Sequence, residues 1–343
     1  MNKYFKMQTI LMFSLILTSC EDGSDTAGQI VIETADELTE GYVLFTFMGD
    51  KVTHLIDTAG TDVKTWTSAY NATGGCYLSG NKTLLRAGST SRTKTGTFAS
   101  GGAATGIIEE LDDGSNVVWS VEMDDNNYTL HHDFKEIDEN TIIALAWELV
   151  EYNSKNYWND KVIIIDKQSN AVIWEWSALN DGGITPGPAD REDYIHFNSV
   201  DYKNGSVLVS SRSKDTVYLI DRESKAITNT FTAGGILFGQ HDAGFLDNGN
   251  ILVFNNYATS SASAVLEINL SDEVVWEYSN DFYSTRISGA QRLGSGNTLI
   301  CSGDEARFIE VSGDGVEVWD YLPVNPDQDS HRAIFKARKY AEY

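Results

Sequence analysis

Asp247-Asn248-Gly249-Asn250 turns the chain, and Ile251-Leu252-Val253-Phe254 follows as a short apolar strand. Val265-Leu266-Glu267-Ile268 is a second strand that carries an acidic residue, and Val274-Val275-Trp276 is a third that closes on tryptophan. An Asn-Gly pair between apolar runs is a strong short-range signal of an antiparallel hairpin. The closing strand recurs at Trp66, Val117-Val118-Trp119, Val172-Ile173-Trp174 and Glu317-Val318-Trp319. Successive tryptophans lie 53, 55, 102 and 43 residues apart. The gap of 102 is two periods, and Ala226-Ile227-Thr228 fills the missing place. Four short strands per unit, repeated six times at a period of about 50 residues, predict an all-β fold, a six-bladed β-propeller.

The chain ends support a closed ring. The first unit opens at Gly41-Tyr42-Val43-Leu44 without a preceding strand, and Arg332 to Tyr340 reads as an orphan opening strand. Pairing the carboxy-terminal strand with the amino-terminal blade removes the exposed sheet edges. The opening strands then lie innermost, around a central channel. Two long insertions, 88–103 and 177–193, are expected to cover one mouth of it.

The chain has 343 residues, 41% of them hydrophobic, and a formal net charge of −25. So acidic a surface repels phosphate backbones and argues against nucleic-acid binding. Residues 1–20 read as a lipoprotein signal segment. Lys3 and Lys6 precede an apolar run, Met7 to Leu17, that is too short to span a bilayer. Leu17-Thr18-Ser19-Cys20 resembles a bacterial lipobox, which implies a lipidated Cys20 and an exported, membrane-anchored protein at the periplasm or cell surface. Residues 21–39 are expected to be a flexible tether and 40–343 the propeller. Cys76 and Cys301 fall in strands of different blades and form either one disulfide or two buried thiols.

Five of the six histidines sit at the start of inner strands. The runs are His131-His132-Asp133-Phe134, Ile195-His196-Phe197-Asn198, Gln240-His241-Asp242-Ala243 and Ser330-His331-Arg332. In the first three the next hairpin turn follows at nearly the same distance, so they occupy equivalent places and converge on one mouth. Alternation along a strand puts Asn198 on the face of His196. Arg212 ends the following strand near the same mouth. Ser288 holds the corresponding place in a later inner strand and Gly74-Gly75 in an early one, small residues that leave room for a ligand. A guanidinium beside the histidines disfavours a metal and suits a tetrahedral oxyanion. A neutral imidazole is a competent nucleophile and a second a general acid or base, so the pocket fits sulfuryl or phosphoryl transfer with neither metal nor cofactor.

The His132-Asp133 run, the His196-Phe197-Asn198 run with Arg212 beyond it, and the Gln240-His241-Asp242 run resemble the bacterial arylsulfate sulfotransferases over residues 40–340. Those enzymes are six-bladed propellers that move a sulfuryl group from a phenolic sulfate ester to a phenol without a nucleotide donor. The resemblance implies that His241 becomes transiently sulfated and that Arg212, His196 and Asn198 hold the sulfuryl oxygens. It implies that His132, chosen over His131 for its His-Asp order, serves as acid and base. His131, Ser288 and His331 are expected to line the substrate pocket, with Tyr194, Phe197 and Trp147 as candidate phenol-binding aromatics. The chain is expected to lack the amino-terminal β domain of well-known members, and no cysteine pair stands shortly before His241, where some members have a disulfide. A hydrolase using the same pocket and a non-catalytic surface-binding propeller are the alternatives.

Overall fold

The computed structural model describes residues 29–32, 37–324 and 333–343. The signal segment with Cys20, and His331, lie outside these. The first strand is β1 (Gln29–Ile32). The first blade contains β2 (Tyr42–Thr46), β3 (Val52–Ile56) and β4 (Asp62–Thr67). The second comprises β5 (Asn71–Leu78), β6 (Leu84–Ser89), β7 (Gly106–Leu111) and β8 (Val117–Glu122). The third holds the longest strands, β9 (Tyr128–Asp138), β10 (Thr141–Tyr152) and β11 (Lys155–Asp166), and ends with β12 (Val172–Ser177). The fourth is β13 (Phe197–Lys203), β14 (Ser206–Ser211), β15 (Thr216–Asp221) and β16 (Ile227–Phe231). The fifth is β17 (His241–Phe245), β18 (Ile251–Thr259), β19 (Ala262–Ile268) and β20 (Val274–Tyr278). The sixth is β21 (Gly289–Arg292), β22 (Thr298–Ser302), β23 (Arg307–Val311) and β24 (Glu317–Leu322), and the chain returns as β25 (Arg338–Tyr340). The six antiparallel sheets form a six-bladed β-propeller.

Strand β25 pairs with β2 inside the first blade, Leu44 opposite Arg338 and Tyr42 opposite Tyr340, so the ring closes as expected. Gly41 is required there, because a Cβ would lie 2.4 Å from the Tyr340 carbonyl oxygen. The stretch expected to be a tether is partly structured. Strand β1 adds to β24 as a fifth strand on the outer edge of the sixth blade, and Thr39 N donates to Glu310 Oε1. Extended backbone beside an open strand edge gains ladder hydrogen bonds, which explains the departure.

Each blade buries both faces. Along β10, Ile143 and Leu145 pack against the fourth blade while Ile142, Ala144 and Ala146 pack against the second. A separate apolar cluster lies between every pair of neighbouring blades. That is why the middle strands read as continuous apolar runs instead of alternating ones. Cys76 and Cys301 are buried free thiols within this core.

The repeated tryptophans join one blade to the next. The indole Nε1 of Trp119 donates to Asn170 Oδ1, and those of Trp174, Trp276 and Trp319 to the carbonyls of Arg222, Gly313 and Thr58. Each acceptor sits in the outer hairpin turn of the following blade. In the fourth blade the equivalent residue is Asn229, one beyond Thr228, and its amide donates to Leu270 O. In the first blade it is Lys64, whose ammonium donates to Asp113 O, so Trp66 stands two residues out of the repeat. The position demands a long donor, which indole, amide and ammonium all supply.

Candidate active site

The inner strands are irregular at one level. Register shifts fall between Phe197 and Ser199 in β13 and between His241 and Gly244 in β17, and two residues of β9, His132 and Asp133, bulge opposite the Ala144-Leu145 step. His132, His196, Asp242 and Ser288 adopt left-handed backbone with φ of 51°, 57°, 55° and 83°. Such conformations cost side-chain-bearing residues about 1 kcal/mol or more, and persist where the surroundings enforce them.

At this level one side chain on each of three inner strands, a carboxylate or a hydroxyl, reaches to the next strand. Asp133 accepts from Val200 N, Ser199 Oγ from Ala243 N, and Asp242 from Ala290 N. This chain of bonds makes His132, Asn198, His241 and Ser288 equivalent positions. Asn198, rather than His196, is thus the counterpart of His132 and His241. Gly74 and Gly75 do not leave ligand space: a Cβ on Gly74 would strike the His132 carbonyl oxygen and one on Gly75 the Asp133 carboxylate.

His132, His196, His241 and Arg212 come together at one mouth. The rings of His132 and His196 lie 4.6 Å apart. His196 and Arg212 both bear electrostatically on His132 and His241. Each of the three imidazoles has its Nδ1 occupied, by a different partner. His132 Nδ1 is 2.7 Å from His131 Nδ1, His196 Nδ1 is hydrogen-bonded to Asp193, and His241 Nδ1 lies 2.7 Å from Asn256 Oδ1. Their Nε2 atoms remain for chemistry. Burial holds His241 down at about 3 and His132 well below the usual imidazole range, with the neighbouring cations adding to the effect. Both are neutral near pH 7 and keep a nucleophilic or basic lone pair.

His131 stands behind His132. Its ring stacks on Trp147 at 4.1 Å, and its Nε2 is 3.3 Å from Asp160 Oδ1. Burial depresses its pKa to about 3 and raises that of Asp160. With both nitrogens turned toward protein groups, His131 supports His132 and does not line the pocket. Ser288 is likewise engaged, its Oγ accepting from Gly303 N at 2.8 Å. Asn198 donates to Gln240 O at 2.7 Å. Tyr194, Phe197 and Trp147 are buried, and Tyr194 OH donates to Ile184 O, so none presents a free face to a phenol.

Both long insertions bear on this mouth. From the first, Phe98 packs on Trp147 and Trp158, and Ala103 O accepts from His132 N. The second supplies Asp193. Between them lies a cleft of about 510 Å³ lined by Trp158, Arg191, Asp193, His196 and Arg212. The Arg212 backbone N donates to His196 O, which fixes its strand end, while its guanidinium has no hydrogen-bonding partner among the described residues. A half-buried guanidinium that shares its cleft with His196, and whose charge also reaches His132 and His241, is suited to a sulfate-like anion. Among the described residues no three histidine, cysteine or carboxylate side chains are grouped to hold a metal ion.

Asp193, Asn256 and Asp160 were not singled out from sequence. Asp193 lies three residues before His196 and was within reach of local reading. Asn256 and Asp160 arrive from neighbouring strands, and no local signal marks them.

The sequence profile of a family described as arylsulfotransferase (ASST) matches residues 93–323. No curated protein matches the chain. Among solved structures, a protein of unknown function from Bacteroides caccae is similar in fold, with a TM-score of 0.61 at 12% identity over 88% of this chain and 99% of its own. A virginiamycin B lyase from Staphylococcus aureus has a TM-score of 0.46 at 8% identity over 87% of this chain and 89% of its own.

Proposed function

The chain belongs to the arylsulfotransferase family, and from that premise we propose a two-step sulfuryl exchange through a sulfated His241. The observation that carries this reading is the grouping of a neutral, Nδ1-anchored His241 with Arg212, His196 and His132 at one mouth. An aryl sulfate sits with its sulfuryl oxygens against Arg212 and His196. The Nε2 lone pair of His241 attacks sulfur, the sulfur–oxygen bond to the aryl group breaks, and the phenolate leaves with the electron pair. His132, which takes up a proton as the anion binds, supplies it to that oxygen. Anion binding makes this easier, because a negative sulfate offsets the cationic neighbours that depress His132. In the second step an acceptor phenol gives its proton to His132 and attacks the sulfuryl group, and the nitrogen–sulfur bond breaks. No nucleotide sulfate donor takes part.

The Nδ1 partners support a division of labour. His241 faces a neutral amide and stays an uncharged nucleophile. His196 faces the Asp193 carboxylate, which holds its ring at the mouth where the sulfuryl oxygens sit. His132 faces a second neutral imidazole, a fitting partner for a group that must take and return a proton.

The test is release of nitrophenol from 4-nitrophenyl sulfate by the purified protein, with and without added phenol, beside the His241→Asn variant. Release that requires the phenol and disappears in the variant is expected. Equal release without phenol indicates a hydrolase, and no release with a range of donors returns the chain to a binding role. Lipidation of Cys20 and anchoring to a membrane complete the proposal. Loss of membrane association in the Cys20→Ser protein is the expected result, and retention refutes it.

A further inference from the structure

Asn256 is fully buried in β18, and the orientation of its amide is forced. Its Nδ2 faces two carbonyl oxygens, Ser284 O at 2.9 Å and Ile287 O at 3.1 Å. Carbonyls only accept, so the amide nitrogen must lie on that side and Oδ1 must face His241. Oδ1, at 2.7 Å from His241 Nδ1, only accepts as well. The other atom near Nδ1 is Gly239 O at 3.0 Å, a further acceptor. No donor faces this nitrogen among the described residues. The hydrogen of the neutral ring must therefore sit on Nδ1, and the lone pair on Nε2. This follows from acceptor chemistry and not from any assigned hydrogen.

We infer that Asn256 is a positioning residue that locks His241 in the Nδ1–H tautomer and fixes its ring, so that Nε2 presents its lone pair to sulfur. The inference rests on the reading of His241 as nucleophile. A neutral amide does this without adding charge. A carboxylate at the same place would favour the imidazolium, which has no lone pair to offer. Asn256 is itself held from three sides, since Ser263 Oγ donates to its backbone carbonyl at 2.8 Å. The loop 279–287 thus reaches the nucleophile through the acceptors Ser284 and Ile287.

The first measurement is a long-range proton–nitrogen correlation spectrum of the ¹⁵N-histidine-labelled full chain at pH 7.5, with His241 assigned by the His241→Asn variant. A protonated Nδ1 and a bare Nε2 are expected, and an Nε2–H pattern overturns the inference. It needs no activity, so it stands even if no sulfuryl exchange is found and the proposed function fails. The second measurement is the nitrophenol burst. Asn256→Leu should slow it by about 10–100-fold with KM unchanged, the range found when a metal-bound imidazole loses the partner that orients it. Asn256→Asp keeps the acceptor toward Nδ1, with its second oxygen set against the Ser284 and Ile287 carbonyls, and should recover part of the burst at alkaline pH. The acid limb of its kcat/KM profile should rise by about 1–3 pH units, as an adjacent carboxylate holds the proton on the ring. A native burst in Asn256→Leu, or two variants alike in rate and pH profile, overturns the inference.

Discussion

Replacing Lys336 by methionine removes the charge at the centre of the ring. The ammonium donates to Asp133 Oδ2 and to Asp242 Oδ1, each at 2.8 Å, and the side chain is 2% exposed. At an effective dielectric near 20, each contact is worth about 6 kcal/mol of gross attraction. Most of that is offset by the cost of removing the ammonium from water. The net effect of the substitution depends on what the two carboxylates keep. Asp242 retains Arg338 through two nitrogens, at 2.6 and 2.9 Å. Asp133 retains Tyr77 OH at 2.6 Å and Val200 N at 3.1 Å but loses its cation. Breaking a buried pair costs about 3–5 kcal/mol, and the retained partners put this case near 3 kcal/mol. Urea unfolding at pH 7 measures it. Adding Asp133→Asn to Lys336→Met removes the stranded charge and should recover at least about 1 kcal/mol. A loss below about 1 kcal/mol, or a double variant no better than the single one, would refute the account. Asp133 and Asp242 directly follow His132 and His241, so the same variant should also slow sulfuryl transfer.

Arg212→Met should lower kcat for transfer by about 100–1,000-fold, the range seen when a donor to a developing oxyanion is lost. Single-turnover kinetics check this, and a change confined to KM counts against the assigned role. The buried histidines also predict acid lability. The folded-state pKa values of His131 and His241 are lowered to about 3, so between pH 6.5 and 3 the unfolded chain binds protons that the folded chain does not. Stability should fall by about 1.4 kcal/mol per pH unit for each such group across that window. Asp160, whose pKa is raised, opposes the trend. Urea midpoints measured from pH 7 to 4 should fall less steeply for His241→Asn than for the native chain, and equal slopes contradict the burial argument.

Much of this molecule was legible locally. A closing strand with a long hydrogen-bond donor recurs because every blade must reach its neighbour's outer turn, and four of the six blades meet that demand with tryptophan. Where Asn229 and Lys64 meet it instead, the repeat is invisible to residue identity, and Trp66, two residues away, misled the register. The histidine runs were legible for the same reason: equivalent inner strands must deliver their starts to one mouth.

The partners that give each histidine its character were not legible. Asn256 reaches His241 from 15 residues away and Asp160 reaches His131 from the far side of β10. Lys336 meets Asp133 from 203 residues away. The sequence by itself determined the number of blades, the way the ring closes and the convergence of His132, His196, His241 and Arg212, because these follow from a repeated local pattern. Only the tertiary structure decided which imidazole stands behind another, which nitrogen of each is free and which carboxylates share a lysine. Those depend on side chains brought within 3.3 Å by strands distant in the chain, and no short-range pattern of residue types encodes such a distance.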